Sequence, residues 1–434
     1  MSAIAEETIQ PCPECGSEIR GDSRFTLWCT ACDWNVDPAA PQPEAGRLER
    51  AGRELARRHG EQLLAEMLSG SDARPRRDAS AVAATVLAAA VHGITVALAV
   101  GGAWCLVAGW GGAGIVAGLV LLALAWLLAP RPGRLPEGRP VLLRADAPEL
   151  FALVDDVARA VGTPSVHAIV VNGSINAAVT TYGIRGRRLL VLGMPLWEIL
   201  TPEERIALLG HELAHYANGD LRNGLVVGSA VRSLTVWHDI IRPLPQPSGL
   251  ELIVNALYVL PRLLIGGLLV LLLRLTSRAG IRAEYLADRL AARTASTPAA
   301  VGLMDRLLVA ESLGVWLRTE ANRAALRGPR SSRNAADRAD ELWERLTAYV
   351  ASIPEHEYER QRRAGARRGH QVDATHPPTH LRRASLLAGQ PEAADAADAA
   401  AVTPEAHKGD LIAAELATAR TEVARRLLRG ALDD

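Results

Sequence analysis

Lysine is all but missing from this chain: Lys408 is the sole example, and arginine makes up the rest of 48 basic residues that are balanced by 48 acidic ones. With no net charge at pH 7 there is no electrostatic case for nucleic acid as the main partner, and none is expected. The opening "MSAIAEETIQ" lacks both the basic n-region and the apolar h-region of a secretory signal. No cleaved leader is therefore expected, and the first hydrophobic span reads as a retained anchor. Cysteine is scarce, and four of the five cysteines crowd into residues 12–32, which leaves Cys105 as an isolated packing residue. The most informative absence is of charge. From Ala79 to Pro130 no side chain is ionised and only His92 can titrate.

That uncharged run is too long for one membrane span and fits two of about 20 residues each, joined by the glycine-rich "AGWGGAG" at 108–114. A buried soluble hairpin rarely stays uncharged for so long. Arg74, Arg76 and Arg77 precede the run and Arg131, Arg134, Arg139 and Arg144 follow it, whereas the turn carries no arginine. By the positive-inside rule both outer ends are expected in the cytoplasm, with the bilayer as a partner. A second hydrophobic region, 221–273, is interrupted by Arg232 and by Pro261-Arg262 and holds a loop-like "RPLPQPSG". It is read as a second hairpin, with re-entrant or surface-lying helices as alternatives. The length, 434 residues, leaves room for two or three compact units.

Cys12, Cys15, Cys29 and Cys32 form two C-x-x-C knuckles in "CPECGSEIRGDSRFTLWCTAC", with Gly16 placed for a tight turn. This is close to the four-thiolate pattern of a zinc ribbon. In a segment expected to be cytosolic, disulfides are disfavoured and metal is the natural use of paired thiols. Duplication of the pair also argues against a redox C-x-x-C. Zinc would replace the hydrophobic core that so short a segment cannot build, leaving Trp28 or Trp34 exposed for a partner that the sequence does not name. The ribbon is assigned to 1–36, followed by a linker and short helix over 37–78.

The second metal pattern is "GHELAHYANGD" at 210–220. Upstream, Thr201 can cap a helix, Pro202 suits its first position and Glu204 completes a capping box. Ile206, Leu208, Leu209 and Leu213 supply a buried face, and Asn218-Gly219 a left-handed stop. His211 and His215, four apart, therefore share a face and can chelate one zinc ion, while Glu212 is placed to act on water without being a ligand. Before this helix, "APELFALVDDVARAVG" has helical spacing. "SVHAIVVN", "INAAVTTYG" and "RRLLVLG" read as three strands whose edge lies near the metal, where an extended peptide can add to a sheet.

Taken in order, "INAAVT", "LLVLGMPLWEILTPEERIALLGHELAHYANGD", a hydrophobic segment, "RAEYLAD" and "THPPTHLRR" resemble the HtpX-like and CAAX-prenyl-endopeptidase-like membrane zinc metallopeptidases over roughly residues 140–390. The resemblance implies a gluzincin site, with His211, His215 and Glu284 as zinc ligands and Glu212 as general base. It also implies that Asn176 and Ala177 lie on the substrate-binding edge strand and that His376 and Arg382 border the cleft. Two positions depart from the family: Ala178 stands where an aromatic is usual, which widens a subsite, and Arg383 stands where an aliphatic is common. The third-ligand assignment suits the residues, because Glu284 sits in the helix-favouring "RAEYLADRLAAR" whereas Asp220, His238 and Glu251 flank turns. Asp288, four residues on, shares its face and can accept the outer N–H of a ligating histidine.

The expected fold is α+β: a mainly helical membrane-anchored metallopeptidase domain at 140–390 with a small sheet, the hairpin at 79–130 and an accessory C-terminal helix in 391–434. The implied activity is a zinc endopeptidase acting on protein or peptide substrates, with one catalytic and one structural zinc. His376, Tyr285 and Arg382 are the candidates for stabilising the oxyanion. A non-catalytic membrane scaffold working through its ribbon is the alternative, although a scaffold has no need of Glu212. A zinc hydrolase of non-peptide bonds is a third reading, which the resemblance disfavours.

Overall fold

The computed structural model describes residues 7–38, 61–62, 65, 79–108, 111–130, 133–217, 220–244, 247–327, 335–368, 377–389 and 400–430. They belong to two units. Met1–Ala73, Gly133–Ala217 and Glu284–Asp434 make the first, and Arg74–Pro132 and Asn218–Ala283 the second. Most of the linker and helix expected at 37–78 lies outside the described residues.

The chain starts with an antiparallel hairpin, β1 (Glu7–Pro11) and β2 (Glu18–Asp22), followed by the second pair of cysteines. Two apolar helices come next, α1 (Ala79–Val107) and α2 (Gly111–Leu128). They touch backbone to backbone: a Cβ on Gly102 would lie 3.0 Å from the Gly118 carbonyl oxygen, so only small residues permit this crossing.

A mixed sheet is then assembled from β3 (Val141–Leu142), β4 (Ala168–Asn172), β5 (Ala177–Tyr182) and β6 (Arg187–Gly193), with α3 (Pro148–Val161) between β3 and β4. Its order is β3-β4-β6-β5, with β4 parallel to β6 and the other pairs antiparallel. The sequence predicts three strands here; β3 is a fourth, too short to show any alternation. β4 is buried at every position, as expected of a strand covered on both faces, and β5 is an edge. After α4 (Met194–Ile199) comes α5 (Pro202–Ala217), the helix of the two histidines.

α6 (Asp220–Ile240) and α7 (Gly249–Thr294) follow, separated by the expected loop. Pro261 does not interrupt α7 as the sequence suggests. A proline removes one backbone donor from a helix, and α7 continues through it for 46 residues in all. The stretch bearing Glu284 is thus the end of the long hydrophobic helix and not a separate element. The rest is helical: α8 (Thr297–Leu308), α9 (Ala310–Arg327), α10 (Ala335–Ala351), α11 (Glu355–Arg368), α12 (Thr379–Ala388) and α13 (Ala406–Leu427).

The core of the first unit joins the sheet to α3, α5, α8, α10 and α13, with Phe151, Leu190, Met194, Leu209, Leu303 and Trp343 among its fully enclosed side chains. α13 is part of this core. Its Leu416 and Val423 are buried in it, and the Glu415 carboxylate accepts hydrogen bonds from the Glu149 and Leu150 amides at 2.8 and 2.9 Å. α3 has no side-chain cap of its own, so Glu415 satisfies amides that would otherwise be orphaned.

In the second unit the polarity of a soluble protein is inverted. Small residues such as Ala84, Ala88 and Ala230 pack inside with Leu234 and Trp237, while Val86, Trp104, Val120, Trp126, Leu257 and Leu263 are exposed. Polar groups find partners within it: His92 Nε2 lies 2.9 Å from Ser229 Oγ, and Trp237 Nε1 donates to the Leu128 carbonyl at 3.1 Å. Among the described residues two helices, α1 and α7, are long and apolar enough to cross a membrane, and α2 is a shorter apolar helix.

Candidate active site

α5 begins with the capping box read from the sequence. Glu204 N donates to Thr201 Oγ1 at 3.2 Å, and Thr201 N donates to Glu204 Oε2 at 2.9 Å. Immediately before the first histidine, Gly210 lets the helix press against α7: a Cβ there would meet Ala291 Cα at 3.2 Å. This close approach brings Glu284 of α7 to the histidines. The rings of His211 and His215 are perpendicular with centroids 5.0 Å apart. Glu284 Oε2 is 3.5 Å from His211 Nε2, and Oε1 is 3.6 Å from His215 Nε2.

These residues fit zinc. A tetrahedral ion with ligands at about 2.1 Å holds its donor atoms roughly 3.4 Å apart, near the separations seen here. The three donors lie within 4.8 Å of one another. The local field is also suitable. Burial and Arg382 oppose a positive charge on His211, yet hydrogen bonds to Asp288 and Glu284 hold its pKa at about 9. Two carboxylates thus face the imidazole, Asp288 at Nδ1 and Glu284 at Nε2. Among the described residues the cluster includes neither His238 nor Glu251, and the Asp220 side chain lies outside them.

Asp288 Oδ1 lies 2.9 Å from His211 Nδ1, and its carboxylate takes a bidentate pair from Arg382, Nη2 to Oδ1 at 2.6 Å and Nε to Oδ2 at 2.9 Å. With Nδ1–H donating to Asp288, the network assigns the His211 lone pair to Nε2, the atom facing Glu284. Arg382 is almost wholly buried, 4% exposed, and its Nη2 lies 3.2 Å from both ring nitrogens of His211. Glu212 is buried beside the ligands at 5% exposure. Tyr285, next to Glu284, is enclosed, and its hydroxyl has no hydrogen-bond partner among the described residues. Ala177 begins β5, and Ala178 is exposed on that edge strand. Asn176 immediately precedes it, its carbonyl accepting from Gly193 N at 2.9 Å. His376 and the stop at Asn218-Gly219 fall outside the described residues.

Sequence reasoning gives no signal for Tyr216, adjacent to His215. Its hydroxyl donates to the Thr180 carbonyl at 2.6 Å, joining the histidine helix to the edge strand.

The four ribbon thiols also gather. Sγ of Cys12 and Cys32, and of Cys15 and Cys29, are 3.6 Å apart, against roughly 3.8 Å for tetrahedral thiolates at about 2.3 Å from zinc. All four cysteines are free of disulfides. One expectation is corrected. Trp28 is not exposed for a partner but fully buried, stacked on His356 at 4.8 Å and donating Nε1 to the His356 carbonyl at 3.3 Å. Trp34 is half-buried. An indole with an N–H to satisfy finds both a face and an acceptor on α11.

Comparison with known proteins agrees with this arrangement. Residues 144–389 match the model of Peptidase family M48. A protein named Protease HtpX homolog from Thermococcus kodakarensis is 30% identical over 95 residues, covering 21% of this chain and 33% of its own length. Protease HtpX of Pseudomonas putida strain GB-1 is 28% identical over 151 residues, covering 33% of this chain and 49% of the relative. The chain thus spans half or less of the curated relatives it matches. No solved structure matches significantly.

Proposed function

Because the chain belongs to peptidase family M48, matched over more than half its length, we propose that it is a membrane-bound zinc endopeptidase. The observation that carries this reading is the convergence of His211, His215 and Glu284, with Glu212 buried beside them. His211, His215 and Glu284 would hold the ion. When bound, zinc supplies a Lewis acid that polarises a peptide carbonyl and acidifies water.

Glu212 would take the proton of the attacking water and pass it to the leaving amine. Asp288 holds His211 in the tautomer that presents Nε2, and Arg382 neutralises the buried Asp288 carboxylate, so both are positioning residues in this scheme. The edge of β5 would seat an extended substrate by strand addition, with Asn176, Ala177 and Ala178 at its start. The small side chain of Ala178 leaves that subsite wide. His376 would border the cleft.

The exposed apolar surface of the second unit supports lipid as its solvent. The arginines flanking α1 and α2 support a cytoplasmic ribbon and catalytic unit in the cell membrane. Quality control of membrane proteins is favoured over processing of prenylated tails, because α1, α2, α6 and α7 are few helices for a large intramembrane chamber. The ribbon would carry a second, structural zinc.

The test is Glu212→Gln. It leaves every ligand in place, so zinc content should be unchanged while cleavage of an unfolded protein falls by about a hundredfold or more. New peptide termini present in membranes with the wild type and absent with the variant would identify substrates. Near-normal cleavage by a fully zinc-loaded variant would overturn the assignment.

A further inference from the structure

Two pairs of adjacent arginines in the first unit each divide their contacts between two different partners. On α11, Arg363 faces the ribbon: its Nη1 donates to the Thr30 carbonyl at 2.9 Å and to Asp33 Oδ1 at 2.8 Å, and its guanidinium lies 5.1 Å from the centre of the Trp28 ring. Arg362 instead reaches Asp305 on α8, Nη1 to Oδ1 at 3.1 Å. α12 repeats the pattern. Arg382 is buried against Asp288 in the candidate active site, while Arg383 donates Nε to the same Oδ1 of Asp305 at 3.0 Å. Neighbours on a helix point about 100° apart, so each pair ties its helix to two different partners and fixes its rotation.

A second connection runs beside the first. Arg306 Nη1 donates to the Tyr358 hydroxyl of α11 at 3.1 Å, and its Nε lies 3.6 Å from Glu204 in the capping box of the histidine helix. α8 therefore meets the ribbon's platform on one side, and on the other both helices that shape the active site.

The ribbon is itself adapted to this contact. Gly16 follows the first cysteine pair with φ 73°, and Asp33 follows the second with φ 57°. Glycine suits that left-handed position best. Here the chain places a carboxylate instead, and it accepts hydrogen bonds from Arg363 and, at 3.3 Å, Arg367. Nearby, the buried Arg360, held by Glu357, donates to the Val36 carbonyl at 2.8 Å.

The geometry points to the ribbon as an intramolecular clamp on the active site, with Asp305 as the positioning residue that passes its hold on α11 to the helix of Arg382. Metal in the four thiolates would order the segment that carries Trp28 and Asp33, since a segment this small has little else to order it. The clamp rests on the peptidase reading only for its kinetic consequence.

The experiment uses full-length protein in nanodiscs, with Asp33→Gly, Asp305→Asn and the double variant. Asp33→Gly retains all four cysteines and relieves the backbone, so zinc content should hold at the wild-type level while amide hydrogen exchange accelerates in both α11 and α12. Asp305→Asn should accelerate exchange in α12 and lower kcat on an unfolded peptide about three- to tenfold with KM little changed. The double variant should be no worse than the more affected single, because both act on one series of contacts. Unaltered exchange in α12 of Asp33→Gly, or additive losses in the double variant, would overturn the clamp. If Asp305→Asn fails to fold, Arg383→Leu removes the same contact and is read in the same way. A chain that cleaves nothing in any form would count against the peptidase reading, and hydrogen exchange would still decide the coupling.

Discussion

Tyr216 and His215 are consecutive, so α5 turns one toward the sheet and the other toward the metal site. Thr180, whose carbonyl accepts from the Tyr216 hydroxyl, pairs with Leu189 across β5 and β6, and the Leu189 carbonyl lies 3.2 Å from the same oxygen. Burial raises the tyrosine's pKa well above its usual range, so it stays a neutral donor. The hydroxyl thus sets the spacing between the metal helix and the edge on which a substrate would lie. Tyr216→Phe should leave zinc content unchanged and raise KM about three- to tenfold, the effect of losing a hydrogen bond worth about 1 kcal/mol, with kcat within about twofold. Steady-state kinetics on an unfolded peptide checks this, and a fall in kcat at constant KM would place Tyr216 in the chemistry instead. At this scale legibility depends on how local the geometry is. The common face of His211 and His215 follows from helical spacing alone. Glu284 is distant in the chain and is legible mainly through family resemblance. Asp305 and Arg383 are not legible as partners, because complementary charges on separate helices meet only after folding.

Elements whose signals are local can be read with their boundaries. The Thr201–Glu204 box starts α5 within a residue of its expected position, and the three expected strands correspond to β4, β5 and β6. Pairing is what the sequence hides. Parallel β4 and β6 are separated in the chain by β5 and joined by no single hairpin turn, and β3 is too short to carry a pattern. Pro261 reads as a break because proline costs a helix about 3 kcal/mol in isolation; α7 shows that packing and continuity of the apolar run prevail. Capping from a distance is likewise invisible in sequence. Glu415 of α13 holds two amides at the start of α3, beyond the segment matched to the family. Glu415→Ala should cost about 1 to 2 kcal/mol, the range for lost helix caps. Chemical denaturation of the wild type and variant in the same detergent gives the difference directly. A change below about 0.3 kcal/mol would show that water serves these amides equally well.

For the whole molecule, two candidate metal sites and an inverted unit must be reconciled with one chain. The cluster of four ribbon cysteines and the cluster of His211, His215 and Glu284 share no residue, so their ions should bind separately. Metal analysis is expected to give two zinc per chain, falling to about one in Cys12→Ser/Cys15→Ser. A value that stayed at two would remove the ribbon as a metal site. The remaining question is the side of the membrane on which these sites lie. Arginines cluster outside both ends of the α1–α2 pair and are missing from its turn, and a basic flank resists translocation. α1, at 29 residues, is long enough to cross a hydrocarbon core of about 30 Å, whereas α2, at 18, reaches about 27 Å and falls just short of it even untilted. If both cross, the ribbon and His211 share the cytoplasmic side and the 108–114 turn is outside. Cysteine-labelling reagents that do not cross membranes should then modify a single cysteine introduced at the turn, in a chain whose Cys105 is replaced by alanine. Cysteines introduced before Ala79 and after Pro130 should be spared until the membrane is permeabilised. Identical labelling of the turn and of the site after Pro130 would mean that α2 does not cross, and identical labelling of all three sites would mean that neither helix does.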